Sequence, residues 1–149
     1  MAAVLTPSFS LREKMAELAN FLMDNGVAGL FVCGTAGEDA KLGREKRAEV
    51  AEAAVEAAGS KMLVNVGASD LDTVLWLTKH ASRVGAHAVS AVAPFYYRYD
   101  TESLIKFYQK IADESSVPVL VYNNPGRQGY PITAEGLVKI LETVTPLPG

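Results

Sequence analysis

The sequence predicts an α/β fold in which parallel strands alternate with covering helices. Short apolar runs rich in β-branched residues begin near residues 2, 29, 62, 88 and 118, and each interval has the length of one β-α unit. The segments between them carry apolar residues at helical spacing and most of them end at a glycine. Strands that are apolar throughout are typical of a parallel sheet that helices cover.

Local signals delimit the elements. Ser10 with Glu13 forms a capping-box pattern before the first helix, which Asn25-Gly26 ends. Ser69 is predicted to cap the third helix and Gly85 to end it. The predicted strands comprise residues 1–5, 30–32, 62–66, 88–93 and 118–122. The predicted helices comprise residues 11–22, 44–58, 70–84, 101–114 and 133–143.

Two architectures accommodate this alternation: a TIM-type (β/α)8 barrel with about five of its units, and an open flavodoxin-like sheet. Neither Gly-x-Gly-x-x-Gly after the first strand nor Gly-x-x-x-x-Gly-Lys-Ser/Thr occurs, so nucleotide-binding open sheets lose support. A complete barrel needs eight units in about 250 residues. Residues 145–149 contain two prolines and are not expected to form a sixth buried strand. We interpret residues 1–149 as a single incomplete barrel domain.

Composition excludes several classes of partner. The net charge of −3 and the pI near 5.4 argue against nucleic acid and anionic membrane surfaces, which leaves small molecules or proteins. The single Cys33 excludes an internal disulfide, and no Cys/His cluster has metal-ligand spacing, so no metal or cofactor is predicted. Without an apolar run of roughly 20 residues or a signal-peptide pattern, we expect a soluble, cytoplasmic protein.

Unusual residues follow the predicted strands, at the end where parallel α/β folds carry their chemistry. In Gly34-Thr35-Ala36-Gly37, glycine at each end permits a tight turn whose backbone N–H groups can face an anion. A plain β-α turn explains the same pattern. Pro94-Phe95-Tyr96-Tyr97 follows the fourth strand, and aromatic packing over a helix end is its simplest explanation when it is taken alone.

Tyr122 ends the fifth predicted strand and is followed by Asn123-Asn124-Pro125. A tyrosine at that position needs a partner for its hydroxyl group. Arg127 either binds a carboxylate through its forked guanidinium group or pairs with Glu38 or Asp100 at the surface.

Other reactive or large side chains are predicted to be structural. Cys33 is expected to be buried rather than nucleophilic, since no histidine lies on the same rim to activate it. Trp76 is expected in the core. His80 and His87 are expected to have structural roles because neither follows a strand.

Taken together, Gly34-Thr35-Ala36-Gly37-Glu38, Pro94-Phe95-Tyr96-Tyr97 and Tyr122-Asn123-x-Pro125 resemble the dihydrodipicolinate synthase / N-acetylneuraminate lyase family of pyruvate-dependent class I aldolases. The resemblance covers nearly the whole chain. It implies a β/α barrel, a Schiff base between a lysine and a 2-keto acid, and a homo-oligomer, usually a tetramer built from tight dimers. It also implies that Tyr122 is the acid/base and that Thr35 and Tyr96 share its proton relay, Tyr96 from a neighbouring subunit.

The same resemblance implies that the turn from Gly34 through Ala36 to Gly37 holds the keto-acid carboxylate by its backbone amides. Arg127 is similar to the arginine that dihydrodipicolinate synthases use for the carboxylate of a second substrate. Two positions depart from the family: Ala36 stands where many relatives have a hydroxyl residue, and Asn124 where the residue is often apolar. The keto acid therefore stays open between the dihydrodipicolinate branch and sugar-acid aldolases such as those for 2-keto-3-deoxygluconate.

In this family the Schiff-base lysine lies on the sixth strand, which the sequence does not reach. None of the lysines present is predicted to replace it: Lys14, Lys41, Lys46, Lys61, Lys79, Lys106, Lys110 and Lys139. We expect the chain to be inactive alone. The alternatives are a non-catalytic carboxylate-binding or assembly protein with a half-barrel and, less supported, a nucleotide-binding domain.

Overall fold

The computed structural model describes residues 2–5 and 12–144, so the predicted Ser10 cap and the predicted non-strand segment 145–149 lie outside the described residues. Five strands alternate with helices as the sequence predicts. The strands are β1 (Ala2–Leu5), β2 (Gly29–Val32), β3 (Met62–Asn65), β4 (Ala88–Val92) and β5 (Val119–Tyr122). The helices are α1 (Arg12–Asp24), α2 (Arg44–Ala58), α3 (Leu71–Arg83), α4 (Thr101–Glu114), α5 (Pro125–Gln128) and α6 (Ala134–Thr143). Short 3-10 turns cover Thr35–Gly37, Asp39–Lys41 and Gly59–Lys61.

The strand order identifies the sheet as a segment of a β/α barrel. The order is β1-β2-β3-β4-β5, and each strand pairs in parallel with the next strand of the chain. A flavodoxin-like sheet has the order 2-1-3-4-5 instead. The barrel prediction is therefore confirmed, and the open-sheet alternative is wrong. All five carboxyl ends lie along one rim.

The two faces of the sheet differ in burial. Because side chains alternate along a strand, every second residue faces the helices. In β2, β3 and β4 those residues form the core and are 0 to 2% exposed, among them Leu30, Val32, Val64 and Val89. On the concave face, Phe31 and Leu63 are only half-buried and Leu120 is 44% exposed. The core therefore lies between the sheet and its helices, while the concave face stays partly open beneath the rim.

Carboxylate caps start the helices that follow β3 and β4. Asp70 Oδ1 accepts a hydrogen bond from the backbone N–H of Thr73 at 2.8 Å, so Asp70 caps α3 and the predicted Ser69 cap is wrong. Asp100 caps α4 in the same way. A carboxylate at this position also interacts favourably with the positive end of the helix dipole. Gly85, with φ of 89°, follows α3 and ends it as predicted.

Trp76 lies on the outer surface of α3 and is 37% exposed, so its predicted place in the core is wrong. Its ring stacks on His80, with centroids 5.6 Å apart, and the Arg44 guanidinium lies 5.2 Å from the ring centroid. His80 is buried, and its Nε2 lies 3.0 Å from Glu52 Oε1. The aromatic and charged side chains thus join α2 to α3.

Among the described helices, none is long and apolar enough to cross a membrane.

Gly67, just beyond β3, is predicted to tolerate no side chain. A Cβ atom there would lie 2.7 Å from Val92 Cγ1 and 2.8 Å from the Val92 backbone nitrogen. We expect Gly67→Ala to lower the free energy of unfolding by about 1–3 kcal/mol, as overpacking does in cores. Urea denaturation measures the change. Gly126→Ala is the control, because its nearest contact would be 3.9 Å away; equal losses in the two variants would contradict the steric explanation.

Candidate active site

Three polar side chains meet at the carboxyl ends of β2 and β5. The Tyr122 hydroxyl oxygen lies 3.2 Å from Thr35 Oγ1. Asn124 Nδ2 donates to the Tyr122 hydroxyl oxygen at 3.0 Å and to Thr35 Oγ1 at 3.4 Å. We call Thr35, Tyr122 and Asn124 the hydroxyl cluster. The structure therefore brings Thr35 and Tyr122 together and adds Asn124, which the sequence marked only as a departure.

Phe31 sets the position of both strand ends. Its ring packs edge-to-face against the Tyr122 ring, with centroids 5.9 Å apart at 85°. A Cβ atom at Gly34 would lie 2.6 Å from the same Phe31 ring. A side chain at position 34 would therefore have to displace the Phe31 ring. The turn over this ring brings Thr35 towards Tyr122.

The predicted Gly34–Gly37 turn forms a single 3-10 turn. Gly37 N–H donates to the Gly34 carbonyl at 2.8 Å, and Thr35 and Ala36 are exposed. A 3-10 turn leaves the amides at its start without partners inside the turn, which is the arrangement that an anion requires.

The loop after β5 is held by Gln128, which is 1% exposed. Its Nε2 donates to Asn123 Oδ1 at 3.1 Å and to the Tyr130 carbonyl at 2.6 Å, and its Oε1 accepts from the Asn124 backbone N–H at 3.2 Å. A loop too short to pair its own polar groups needs such a side chain. The sequence analysis missed both Gln128 and α5; Pro125 at the start and Gly129 at the end of α5 are the signals that could have revealed the helix.

A cleft of about 350 Å³ lies beside the hydroxyl cluster. Thr35 and Tyr122 contribute to its wall, together with Glu38, Asp39, Ala40, Lys41, Asn65, Val92, Phe95 and Arg127. Apolar strand residues and charged rim residues therefore face the same space, as in many sites for small molecules.

Arg127 faces this cleft and makes neither of the surface ion pairs considered from the sequence. Glu38 Oε1 accepts from Lys41 Nζ at 2.6 Å, and Asp100 caps α4. The surface-pair alternative is therefore wrong within the described part of the chain. The forked guanidinium group stays beside the cleft, where it can bind a carboxylate.

The two tyrosines after β4 lie outside the cleft. Tyr96 is 88% exposed and Tyr97 67% exposed, and their rings contact each other at 5.0 Å. The predicted packing of these rings over a helix end is thus wrong, although Phe95 does line the cleft. The structure does not bring Tyr96 to the hydroxyl cluster of the same chain. Tyr96 also has a φ of 83°, an uncommon value for a non-glycine residue.

A buried polar network that the sequence analysis missed lies at the ends of β2 and β3. It comprises Arg47 of α2, Asn65 of β3 and Asp39 of the second 3-10 turn. Burial raises the pKa of Asp39, and the positive charge of Arg47 opposes that shift. An arginine within an Ala- and Glu-rich helix carries no local signal that separates a buried position from an exposed one.

Cys33 is fully buried, as predicted, and burial raises its pKa to about 11 from the ordinary 9.0. Between residues 12 and 144 and in β1, no group of three His, Cys, Asp or Glu side chains is arranged to hold a metal ion. Hydroxyl, amide and guanidinium groups on this rim can form hydrogen bonds, and a guanidinium group can bind a carboxylate.

Comparison with known proteins places this geometry in a family. The sequence model of the Dihydrodipicolinate synthetase family matches residues 7–147. A 4-hydroxy-tetrahydrodipicolinate synthase of Desulforamulus reducens is 35% identical over 153 residues, which covers 99% of this chain and 52% of that protein. A probable 2-dehydro-3-deoxy-D-pentonate aldolase of Escherichia coli K12 is 34% identical over 131 residues, 87% of this chain and 44% of that protein.

Among solved structures, YagE of Escherichia coli K12, a prophage protein of the dihydrodipicolinic acid synthase family crystallised with pyruvate, is similar to this chain. The TM-score is 0.87 at 26% identity, over 95% of this chain and 51% of that one. The chain therefore spans about half the length of the relatives that it matches.

Asn124 is predicted to orient the Tyr122 hydroxyl. In Asn124→Leu both donors disappear at similar side-chain volume, and the two hydroxyl groups retain only each other. We expect a changed ¹³Cζ resonance of Tyr122 and a loss of about 0.5–1.5 kcal/mol in the free energy of unfolding, the usual net value of a hydrogen bond. NMR of tyrosine-labelled chain checks this. Asn20→Leu, on the exposed side of α1, is the control; an unchanged Tyr122 resonance in Asn124→Leu would contradict the prediction.

Cys33 is predicted to be inert in the folded chain. With a pKa of about 11 instead of 9.0, the thiolate fraction at pH 8 falls about 100-fold, because each pKa unit changes it tenfold. Labelling with a disulfide reagent at pH 8 is therefore expected to be at least ~100-fold slower in buffer than in denaturant. Comparable rates in the two conditions would show that Cys33 is accessible.

Proposed function

The chain belongs to the dihydrodipicolinate synthetase family, and from this membership we propose that it binds a 2-keto acid such as pyruvate in the cleft. The supporting observation is the 3.2 Å contact between Thr35 Oγ1 and the Tyr122 hydroxyl beside a cleft that also contains Arg127. The reaction class is a lyase or aldolase reaction, in which a carbon–carbon bond forms or breaks through a Schiff base with the keto acid.

Tyr122 is the acid/base of the proposed reaction. Its hydroxyl takes up or releases a proton at the reacting keto acid, and Thr35 passes the proton on at 3.2 Å. Asn124 Nδ2 donates to the Tyr122 oxygen and so stabilises it while the proton is away. Tyr96 completes the relay from a neighbouring subunit of a homo-oligomer; its 88% exposure in a single chain supports this assignment.

The substrate carboxylates have two proposed binding groups. Backbone amides at the start of the Gly34–Gly37 turn, those of Thr35 and Ala36, hold the keto-acid carboxylate, since the Gly37 N–H already donates to the Gly34 carbonyl. No side-chain hydroxyl assists at position 36, because that residue is alanine. Arg127 binds the carboxylate of a second substrate. The named relatives include both a 4-hydroxy-tetrahydrodipicolinate synthase and a pentonate aldolase, so both substrate branches stay in the proposal.

We propose that the chain is inactive alone because it lacks the amine that forms the Schiff base. The resemblance assigns this amine to a lysine on a sixth strand, and the structure describes five strands. Among the lysines that the structure describes, Lys41 lines the cleft. Its Nζ lies 2.6 Å from Glu38 Oε1 and its side chain is 68% exposed, so the amine is paired with a carboxylate and turned towards solvent.

A non-catalytic carboxylate-binding or assembly protein is the second candidate, and the open concave face is the observation that favours it. Leu120 is 44% exposed on β5, the edge strand of the sheet. Unpaired edges and apolar patches promote association with another chain. Under either candidate we propose a cytoplasmic location and a small-molecule ligand rather than nucleic acid or membrane.

We predict that this chain binds pyruvate but forms no Schiff base with it. With millimolar pyruvate we expect the backbone amide resonances of Thr35 and Ala36, which start the turn, to shift in NMR spectra. After borohydride reduction we expect the mass of the intact chain to be unchanged, because Lys41, the described lysine that lines the cleft, is paired with Glu38.

Lys41→Arg and acetate serve as controls for the two measurements. A reduced adduct that disappears in Lys41→Arg would overturn the claim of inactivity and identify Lys41 as the amine. Amide shifts that acetate reproduces in full would contradict recognition of the keto group, and the absence of shifts would contradict the cleft as the pyruvate site.

A further inference from the structure

The segment that carries Thr35 contains two non-glycine residues in the left-handed backbone conformation. φ is 55° at Cys33 and 56° at Glu38, one on each side of the 3-10 turn. L-amino acids adopt this conformation at an energetic cost, and it persists only where the surrounding structure imposes it. The contacts that impose it come from α2 and β3.

Arg47 of α2 is 4% exposed and points its guanidinium group at the end of β3. Nη1 donates to the Gly67 carbonyl at 2.9 Å and Nη2 to the Asn65 carbonyl at 2.8 Å. The backbone carbonyl of Arg47 in turn accepts from Cys33 Sγ at 3.7 Å. One residue of α2 therefore contacts the end of β3 and the last residue before the turn.

Asn65 connects the two ends of the turn segment. Its Nδ2 donates to the Cys33 carbonyl at 2.7 Å and to Asp39 Oδ2 at 3.0 Å. A carbonyl and a carboxylate only accept hydrogen bonds, so these partners fix the orientation of the amide. The Asn65 side chain can hold both ends only while its backbone stays in place, and Arg47 fixes that backbone.

Arg47 and Asp39 also compensate each other's charge. Arg47 Nη2 lies 4.0 Å from Asp39 Oδ2, with side chains 5% and 16% exposed. A buried charge that loses its partner is strongly unfavourable. Loss of Arg47 would therefore release both the end of β3 and the carboxylate that anchors the far end of the turn.

We propose that Arg47 is a positioning residue for the hydroxyl cluster. Acting through Asn65 and Asp39, it imposes the left-handed conformations around the turn and so holds Thr35 Oγ1 3.2 Å from the Tyr122 hydroxyl. Its relevance to proton transfer rests on the proposed function. The claim that Arg47 positions Thr35 beside Tyr122 does not rest on the proposed function, because no keto acid is needed to test it.

Arg47→Met tests the proposal in the full chain, since it keeps the length of the side chain and removes the guanidinium group. We expect a shifted ¹³Cζ resonance of Tyr122, assigned by comparison with Tyr122→Phe. We also expect amide exchange of Gly37, which donates to Gly34 across the turn, to become at least tenfold faster relative to Val89 in the sheet. Normalising to Val89 removes any effect of global stability.

Ile111→Ala is the matched control, because Ile111 is fully buried near the end of α4, away from the rim. It is expected to destabilise the chain while leaving the Tyr122 resonance and the Gly37-to-Val89 ratio unchanged. Should Arg47→Met fail to fold, Arg47→Lys keeps the charge and loses the fork, and changes of the same direction are expected. Wild-type values of both readouts in whichever Arg47 variant folds would overturn the proposal.

Cys33→Gly supplies a rescue that a purely structural role would not predict. Glycine adopts a φ of 55° without the cost that a side chain imposes. Adding Cys33→Gly to the Arg47 variant should return the Tyr122 resonance at least halfway to its wild-type value. A resonance that does not recover would overturn the claim that Arg47 imposes the left-handed backbone at position 33. A chain that shows these effects but binds no pyruvate would support the positioning role of Arg47 and contradict the proposed function. A chain that binds pyruvate but shows none of these effects would support the proposed function and overturn the positioning role.

Discussion

Parallel pairing of consecutive strands is the constraint on which the candidate site depends. The register that sets Val4 opposite Phe31 and Val92 opposite Tyr122 brings every strand to the same rim with its carboxyl end. Loops that are distant in sequence then become neighbours, and Thr35 meets Tyr122 across 87 positions. A shift in the pairing of any two neighbouring strands between β2 and β5 would separate the two hydroxyl groups without altering either residue.

The same pairing leaves the sheet with a covered face and an open one. Helices bury the residues that point outward, whereas Phe31, Leu63 and Leu120 keep exposed surface on the concave face. The relatives that this chain matches are about twice as long. Half of a barrel can thus bring the side chains of the hydroxyl cluster together while its apolar interior stays partly uncovered.

Strain and burial are concentrated beneath the rim that carries the hydroxyl cluster. Cys33 and Glu38 have left-handed backbones, and the Arg47–Asn65–Asp39 network lies directly against that segment. Buried charges stabilise a fold weakly because desolvation offsets their attraction. Their value here is positional, since a forked guanidinium group holds two carbonyl groups that a hydrophobic side chain could not.

The sequence by itself determined the order of the five strands and of the five longer helices, the extents of α2 and α4, and the family. Apolar runs, helix caps and glycines at helix ends are local signals, and the order of the three family motifs can be read from a single sequence. Only the tertiary structure decided that Asn124 joins the hydroxyl cluster, that Arg47 is buried and that Trp76 is exposed. These outcomes depend on which loops and helix faces become neighbours across the sheet, and no local pattern encodes such contacts.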